Sequence, residues 1–584
     1  MSVVTDNARI PGPAWPGVRT GGWGQVLLIT PWTLLLGFLI AYPIGILVAG
    51  SFSRESPRAL RLALDNFTLE NYTRLLGSAG FRSALLTSLE AAAGGAILAV
   101  LIGLVFALLV AKTDFPAKSF VETIVLIPFF VSPLLGAIAW SVLGSPHSGL
   151  LNLVLRSLGI GATINVNTLG GVIFVFSIYY APYAYLLLVS ALSNIDATLE
   201  EAAEISGAHL GHALTRIVLP LVQRAILSSF LLVFVTMLSL YAIPFVIGEP
   251  GRLTFLTTYL WRLLLQSPAD FQTAASVSVF LILVALAGLM LQYRLIGRRS
   301  FVTVTGRGHR VRVARLGRLR YFVAVMVVLY ILVSVVLPYF AIAQASFRNF
   351  LFFQSVGQLI GTENLTWSHL SGLFSRPIMR RSIQNSLFVG VNVALLGAAL
   401  SLIVSYLVQR TRAPGRRALE FIAMMPLGVP SLVIGVAYLW AWIGLPIGIY
   451  GTIWILVLAY VSRLLPEGVQ GVTSSLVQVD RELEEAARVS GSSTLQVLWS
   501  IILPLVRPGV AAAAILMLIL SVREIGPSLF LYNSGTIVMA VQVLNSWEGG
   551  DLGGAAALSL VQSLLLTALV LFARYGLRVR LRLA

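Results

Sequence analysis

Adjacent carboxylates followed by small residues recur at two places in this chain, 284 positions apart. The first stretch, Asp196 to Val222, reads DATLEEAAEISGAHLGHALTRIVLPLV; the second, Asp480 to Val506, reads DRELEEAARVSGSSTLQVLWSIILPLV. They align without a gap and agree at 14 of 27 positions. The chemistry this pattern suits is recognition. Asp196 and Asp480 are N-cap types, whose short carboxylates accept from free amides at a helix start. Glu200, Glu201, Glu484 and Glu485 fall in the first turns, where negative charge is favourable beside the positive end of the helix dipole. Ala202, Ala203, Ala486 and Ala487 favour helix and leave a flat surface. Gly207 and Gly491 allow a sharp turn, and Leu199 and Leu483 are read as apolar contacts. The expectation is a short capped helix that docks into a groove on another protein.

Other chemistry is hard to find. The chain has no Cys, so disulfides and thiolate metal sites are excluded. Each of His147, His209 and His212 reads as a loop histidine without partners to complete a metal site. The glycines at 549, 550, 553 and 554 lack the Lys-Ser/Thr ending of a phosphate loop. Arg523 and Glu524 stand near the end of an apolar run. A charge in hydrocarbon costs about 2.5–3.5 kcal/mol, so each needs its own protein or water partner. They are candidates for the pathway or outer gate, with a structural lock between helices as the rival reading.

The elements that must carry these residues are membrane helices. The 584 residues are 58% hydrophobic and 11% charged, far below the charge of a soluble domain. Spans of about 20 apolar residues are predicted near 27–50, 84–111, 120–143, 169–192, 225–247, 272–293, 321–343, 384–408, 418–440, 451–470, 508–530 and 553–574. The net charge of +17 reads as topology rather than nucleic-acid binding. Lys112, Lys118, Arg410, Arg412, Arg416, Arg417, the arginines between 294 and 320 and those from 574 to 582 all fall on one side. The positive-inside rule makes that side cytoplasmic, with both termini there.

The duplication extends beyond the acidic loops. Pro43 with Ser51-Phe52 answers Pro338 with Ser346-Phe347; Thr113 to Pro116 answers Thr411 to Pro414; Ile127-Pro128 answers Met425-Pro426. The predicted fold is an all-α polytopic membrane protein of about 12 helices, arranged as two parallel six-helix repeats about a pseudo-two-fold axis along the membrane normal. The expected divisions are 1–26, an N-terminal segment; 27–299, the first half with its loop 196–222; 300–320, a basic linker; and 321–584, the second half with its loop 480–506.

Glu201-Ala202-Ala203 with Gly207, Ile217, Leu219 and Pro220, and Glu485-Ala486-Ala487 with Gly491, Ile501, Leu503 and Pro504, resemble the EAA motif of permease subunits of binding-protein-dependent ABC importers. The resemblance covers nearly the whole chain. It implies a bacterial inner-membrane importer whose two loops couple to two copies of a cytoplasmic ATPase. A periplasmic or lipid-anchored binding protein would deliver solute. No cofactor is expected on this chain, ATP and Mg belonging to the ATPase subunits, and no enzymatic activity. The stretch Ser521 to Tyr532, with Gly535-Thr536 and Trp547-Glu548, is similar to the fused ferric-iron type. Thiamine, aminoethylphosphonate and polyamine remain alternative cargoes. An ion-coupled secondary transporter is the rival class; it would leave the twin loops unexplained.

Overall fold

A computed structural model describes residues 22–55, 66–195, 198, 205, 207, 210–296, 316–351, 353–362, 364–411 and 413–572. The N-terminal segment and the basic linker lie almost wholly outside these, as do Glu201, Ala202 and Ala203.

Ten single helices are long and apolar enough to cross a membrane: α1 (Val26–Ser51), α2 (Ala79–Lys112), α5 (Leu169–Ser193), α6 (Gly211–Leu238), α7 (Phe271–Leu295), α8 (Leu319–Ser346), α9 (Pro377–Arg410), α12 (Ile453–Leu476), α14 (Leu498–Arg523) and α15 (Leu552–Leu571). Two further apolar runs are broken. The arms α3 (Lys118–Phe129) and α4 (Pro133–Gly144) meet at 91°, and α10 (Arg416–Gly428) and α11 (Ser431–Trp442) at 115°. Among the described residues the total is therefore 10, or up to 12 with each bent pair as one span. The expected spans 120–143 and 418–440 are each a bent pair of helices.

Proline explains the bends. Pro133 and Pro430 remove amide donors and push the residues before them out of helical geometry, while Pro128 and Pro426 sit inside the last turns of the preceding arms. Val131 and Ser132, like Val429 and Pro430, are accordingly extended. Elsewhere a proline is absorbed differently. Pro43, Pro220, Pro338 and Pro504 each follow a five-residue π-turn: Gly37–Ala41, Leu214–Val218, Leu332–Val336 and Leu498–Ile502. Widening the helix by one residue steers the backbone around the ring without a break. Pro220 and Pro504 therefore lie inside helices that begin earlier than the expected spans 225–247 and 508–530.

Like elements recur in both parts of the sequence. The two longest helices, α2 and α9, each have 34 residues. Thr113 and Thr411 follow them, each donating its hydroxyl to the carbonyl four residues back at 2.6 Å. At the opposite end of the bundle, isolated bridges pair Ser53 with Phe67 and Arg348 with Leu365.

Two helix pairs make the most extensive contacts from one part to the other. The second half of α1 packs against α11, and the second half of α8 against α4. Gly50 makes the first possible: a Cβ there would sit 2.5 Å from the Trp440 ring. The Leu39 carbonyl, which Pro43 cannot use, accepts from the Tyr438 hydroxyl at 2.8 Å and from Ser462 at 3.3 Å.

Candidate functional site

The helices end in basic residues on one side, and there the backbone of the second acidic loop is described throughout. α13 (Arg481–Val489) opens with Asp480, whose carboxylate accepts from the Glu482 amide at 3.2 Å. It closes at Gly491, which adopts φ +88°. The Ser492 amide reaches back to the Ala487 carbonyl at 3.0 Å, the six-residue closure that a left-handed glycine permits. Gly207 has φ +85°. Space around both glycines is open, so backbone conformation, not crowding, favours glycine there. The return helix is started by a reciprocal cap: Ser493 N–H donates to Gln496 Oε1 at 2.8 Å, and Gln496 N–H to Ser493 Oγ at 3.3 Å.

The two adjacent glutamates of α13 face different surroundings. Glu485 and Ala486 are exposed. Glu484 is buried and pairs with Arg410, the last residue of α9, at 3.1 Å. Ala487 leans on a small apolar cluster that includes Tyr406, Leu476 and Ile502. Leu483, read as an apolar contact of this helix, is half-exposed. Val489 is 89% exposed, and Ile205 at the matching position of the first loop 88%. The outward surface is thus carboxylate, alanine and apolar side chains.

The second candidate is a cavity of about 200 Å³ bounded by both parts of the chain, with Tyr180, Tyr183, Ser239 and Tyr241 on one side and Ser431, Arg463, Arg523 and Glu524 on the other. Ser132 and Pro133 from one bend and Pro430 and Ser431 from the other line it. Irregular backbone at membrane depth is tolerated where protein or a water-filled cavity satisfies its polar groups. The breaks and the cavity are in this sense one feature.

Arg523 and Glu524 diverge. The Arg523 guanidinium crosses the seam, donating to the Phe129 carbonyl at the first bend and to the Tyr183 hydroxyl at 3.2 Å, and it lies over the Phe129 ring. Glu524 Oε1 accepts from Ser431 Oγ at 2.6 Å and from the amides of Ile525 and Gly526 at 3.2 and 3.1 Å. It ties the end of α14 to the start of α11. The Tyr460 hydroxyl donates to the Glu524 carbonyl at 2.8 Å and fixes the same turn.

Sequence reasoning gave no role to Arg463 and Glu467, which form an ion pair at 3.1 Å within α12. Arg463 borders the cavity. The missed signal was an i, i+4 pair of opposite charges inside an apolar run. Of the ten single-helix spans, α12 is the most enclosed by protein, which is why it can carry them. Among the described residues no group of three His, Asp or Glu side chains could hold a metal ion. The loop residues His147 and His212 remain outside any such group.

A bundle of apolar helices carrying two aligned acidic loops defines a class, and the family model agrees. The chain belongs to the binding-protein-dependent transport system inner membrane component family, matched at residues 99–302 and again at 409–580. It is 28% identical over 551 residues to the ferric transport system permease protein FbpB of Actinobacillus pleuropneumoniae, covering 92% of this chain and 76% of that protein. It is 26% identical over 517 residues to the putative ferric transport system permease protein FbpB 1 of Haemophilus influenzae, covering 87% and 78%. A crystal structure of a bacterial alginate ABC transporter in complex with alginate pentasaccharide-bound periplasmic protein is similar at 21% identity, with a TM-score of 0.39, covering 49% of this chain and 96% of that one.

Proposed function

We propose that this chain forms the solute pathway of an ATP-driven importer in a bacterial inner membrane and couples uptake to ATP hydrolysis by partner subunits, with ferric iron as the cargo. The observation that carries the coupling is the exposed face of α13, with Glu485 and Ala486 held outward between a capped start and the Gly491 turn. A second lever at Glu201, Ala202, Ala203 and Gly207 follows from the aligned sequence. The basic end of the bundle is then cytoplasmic, with both termini there, and one ATPase copy engages each lever.

In this reading the halves 27–299 and 321–584, joined by the linker 300–320, stand about a pseudo-two-fold axis along the membrane normal. The seam between them is the path, and a solute-binding protein delivers cargo at the opposite end. Arg523 borders that path and bridges the halves. Glu524 serves mainly as a lock within the second half. Iron as cargo is supported by the identity to ferric transport permeases over most of the chain. The cavity wall of tyrosine, serine and arginine suits passage rather than tight metal ligation, since tight ligation would slow release.

The test is reconstitution in proteoliposomes with the partner ATPase and binding protein. ATP-dependent accumulation of ferric iron, and not of thiamine, aminoethylphosphonate or polyamine, is expected. Uptake that proceeds without the ATPase would refute the coupling, and uptake of another of these solutes alone would reassign the cargo.

A further inference from the structure

The two levers are joined in sequence to the helices that precede and follow them, and Gly491 makes the following joint a bend in open space. A hinge alone transmits force poorly, because α13 could swivel without moving α14. Another connection is built at the foot of α9. Arg410 is buried with Glu484, their side chains 5% and 6% exposed and 3.1 Å apart. The same guanidinium donates to the Leu476 carbonyl at 2.6 Å and to the Val479 carbonyl. One planar cation thus closes the C-terminal end of α12, the strand of chain leading into α13, and α13 itself. Its fork geometry is suited to three acceptors at once.

We infer that Arg410 is a positioning residue for energy coupling: its buried pair with Glu484 hangs the docking helix on α9, so displacement of α13 is delivered to a 34-residue helix packed against both α12 and α14. This deepens the coupling reading above and rests on it. Glu484 and Glu485 divide the labour, one turned to the body of the protein and one to the partner. Lys112 ends α2 at the position that answers Arg410, and it is also buried. A lysine there keeps the charge but presents three donors from one point rather than a planar fork.

The experiment uses the full chain with its ATPase and binding protein in proteoliposomes and reads solute imported per ATP hydrolysed, beside co-purification of the ATPase. Glu484→Gln and Arg410→Met are expected to lower that ratio by about tenfold, the scale of one lost charge-assisted contact, with the ATPase still bound. Arg410→Lys is expected to retain most of it, because the buried positive charge beside Glu484 is kept. The ratio separates coupling from folding, because a merely destabilised protein loses uptake and hydrolysis together. An unchanged ratio in Glu484→Gln, an equal loss in Arg410→Lys and Arg410→Met, or loss of ATPase binding in Glu484→Gln would overturn the inference. Normal ATPase binding and transport in Glu485→Lys would instead defeat the docking reading beneath it.

Discussion

Helix α6 ends at Leu238 and is followed by Ser239 and Leu240; α14, aligned with it, ends in Arg523 and is followed by Glu524. Ser239, Leu240, Arg523 and Glu524 border the same cavity. The backbone plan is alike on both sides, with a π-turn before proline and a helix running to the seam, but the charged chemistry is on one side. Arg463, Arg523 and Glu524 come from the second half, and the first answers with Tyr180, Tyr183, Tyr241 and Ser239. The frame is thus alike on the two sides while the cavity wall differs. A cation from one half then finds its acceptors, the Phe129 carbonyl and the Tyr183 hydroxyl, in the other.

The sharpest way to break the comparison is at the levers. Glu485→Lys or Gly491→Val should leave the chain inserted yet abolish ATPase co-purification or uncouple hydrolysis from uptake. Valine at φ +88° is strained because its Cβ branches meet the backbone, at about 1–2 kcal/mol. The matching changes Glu201→Lys and Gly207→Val should act through the other ATPase copy, and normal transport in the double variants would end the two-lever account. Next in size is Gly50→Leu. It drives carbon into the Trp440 ring, where overpacking costs about 1–3 kcal/mol. We expect lower thermal stability in detergent, measured by the loss of monodisperse protein on heating. Arg523→Ala should lower uptake while ATPase binding survives, and Ser239→Ala should change uptake much less; equal effects would mean that the cavity is functionally symmetric.

The smallest effect concerns Glu548, at the end of the Met539–Glu548 helix between α14 and α15. Burial raises its carboxyl pKa above the usual value. The folded state therefore holds this proton more tightly than the unfolded chain. Ionised Glu548 weakens folding above its raised pKa, and the penalty fades as pH falls through it. Glu548→Gln is expected to raise the melting temperature slightly at neutral pH and to make no difference in acid.

Much of the frame was legible because lipid imposes a coarse constraint: long apolar runs, cations on alternate loops, and a fixed offset between aligned loops. The bends were not legible. IPFFVSPLLG and MPLGVPSLV are apolar enough to continue as spans, and proline alone does not say whether a helix widens, as at Pro43, or breaks, as at Pro133. That choice depends on whether a neighbour can take up the freed backbone groups. Nor could the pattern Glu484-Glu485 reveal which carboxylate turns inward, because the answer is held by Arg410, 74 positions earlier. Leu483 was misread for a related reason. Leu483 and Ala487 are one turn apart on α13, and their spacing alone does not say that Ala487 meets the apolar cluster while Leu483 stays half-exposed.

The crossing of α1 onto α11 and of α8 onto α4 has a consequence for biosynthesis. The ribosome delivers α1 to the bilayer well before α11 exists, so the Gly50 face must wait in lipid and the Leu39 carbonyl must wait for Tyr438. Each half is then an incomplete folding unit, and two separately translated pieces would have to find each other by lateral diffusion. Keeping both on a single polypeptide turns that encounter into an intramolecular one at high effective concentration. Severing the chain between α7 and α8 is expected to leave two insertable fragments that need co-expression to resist degradation.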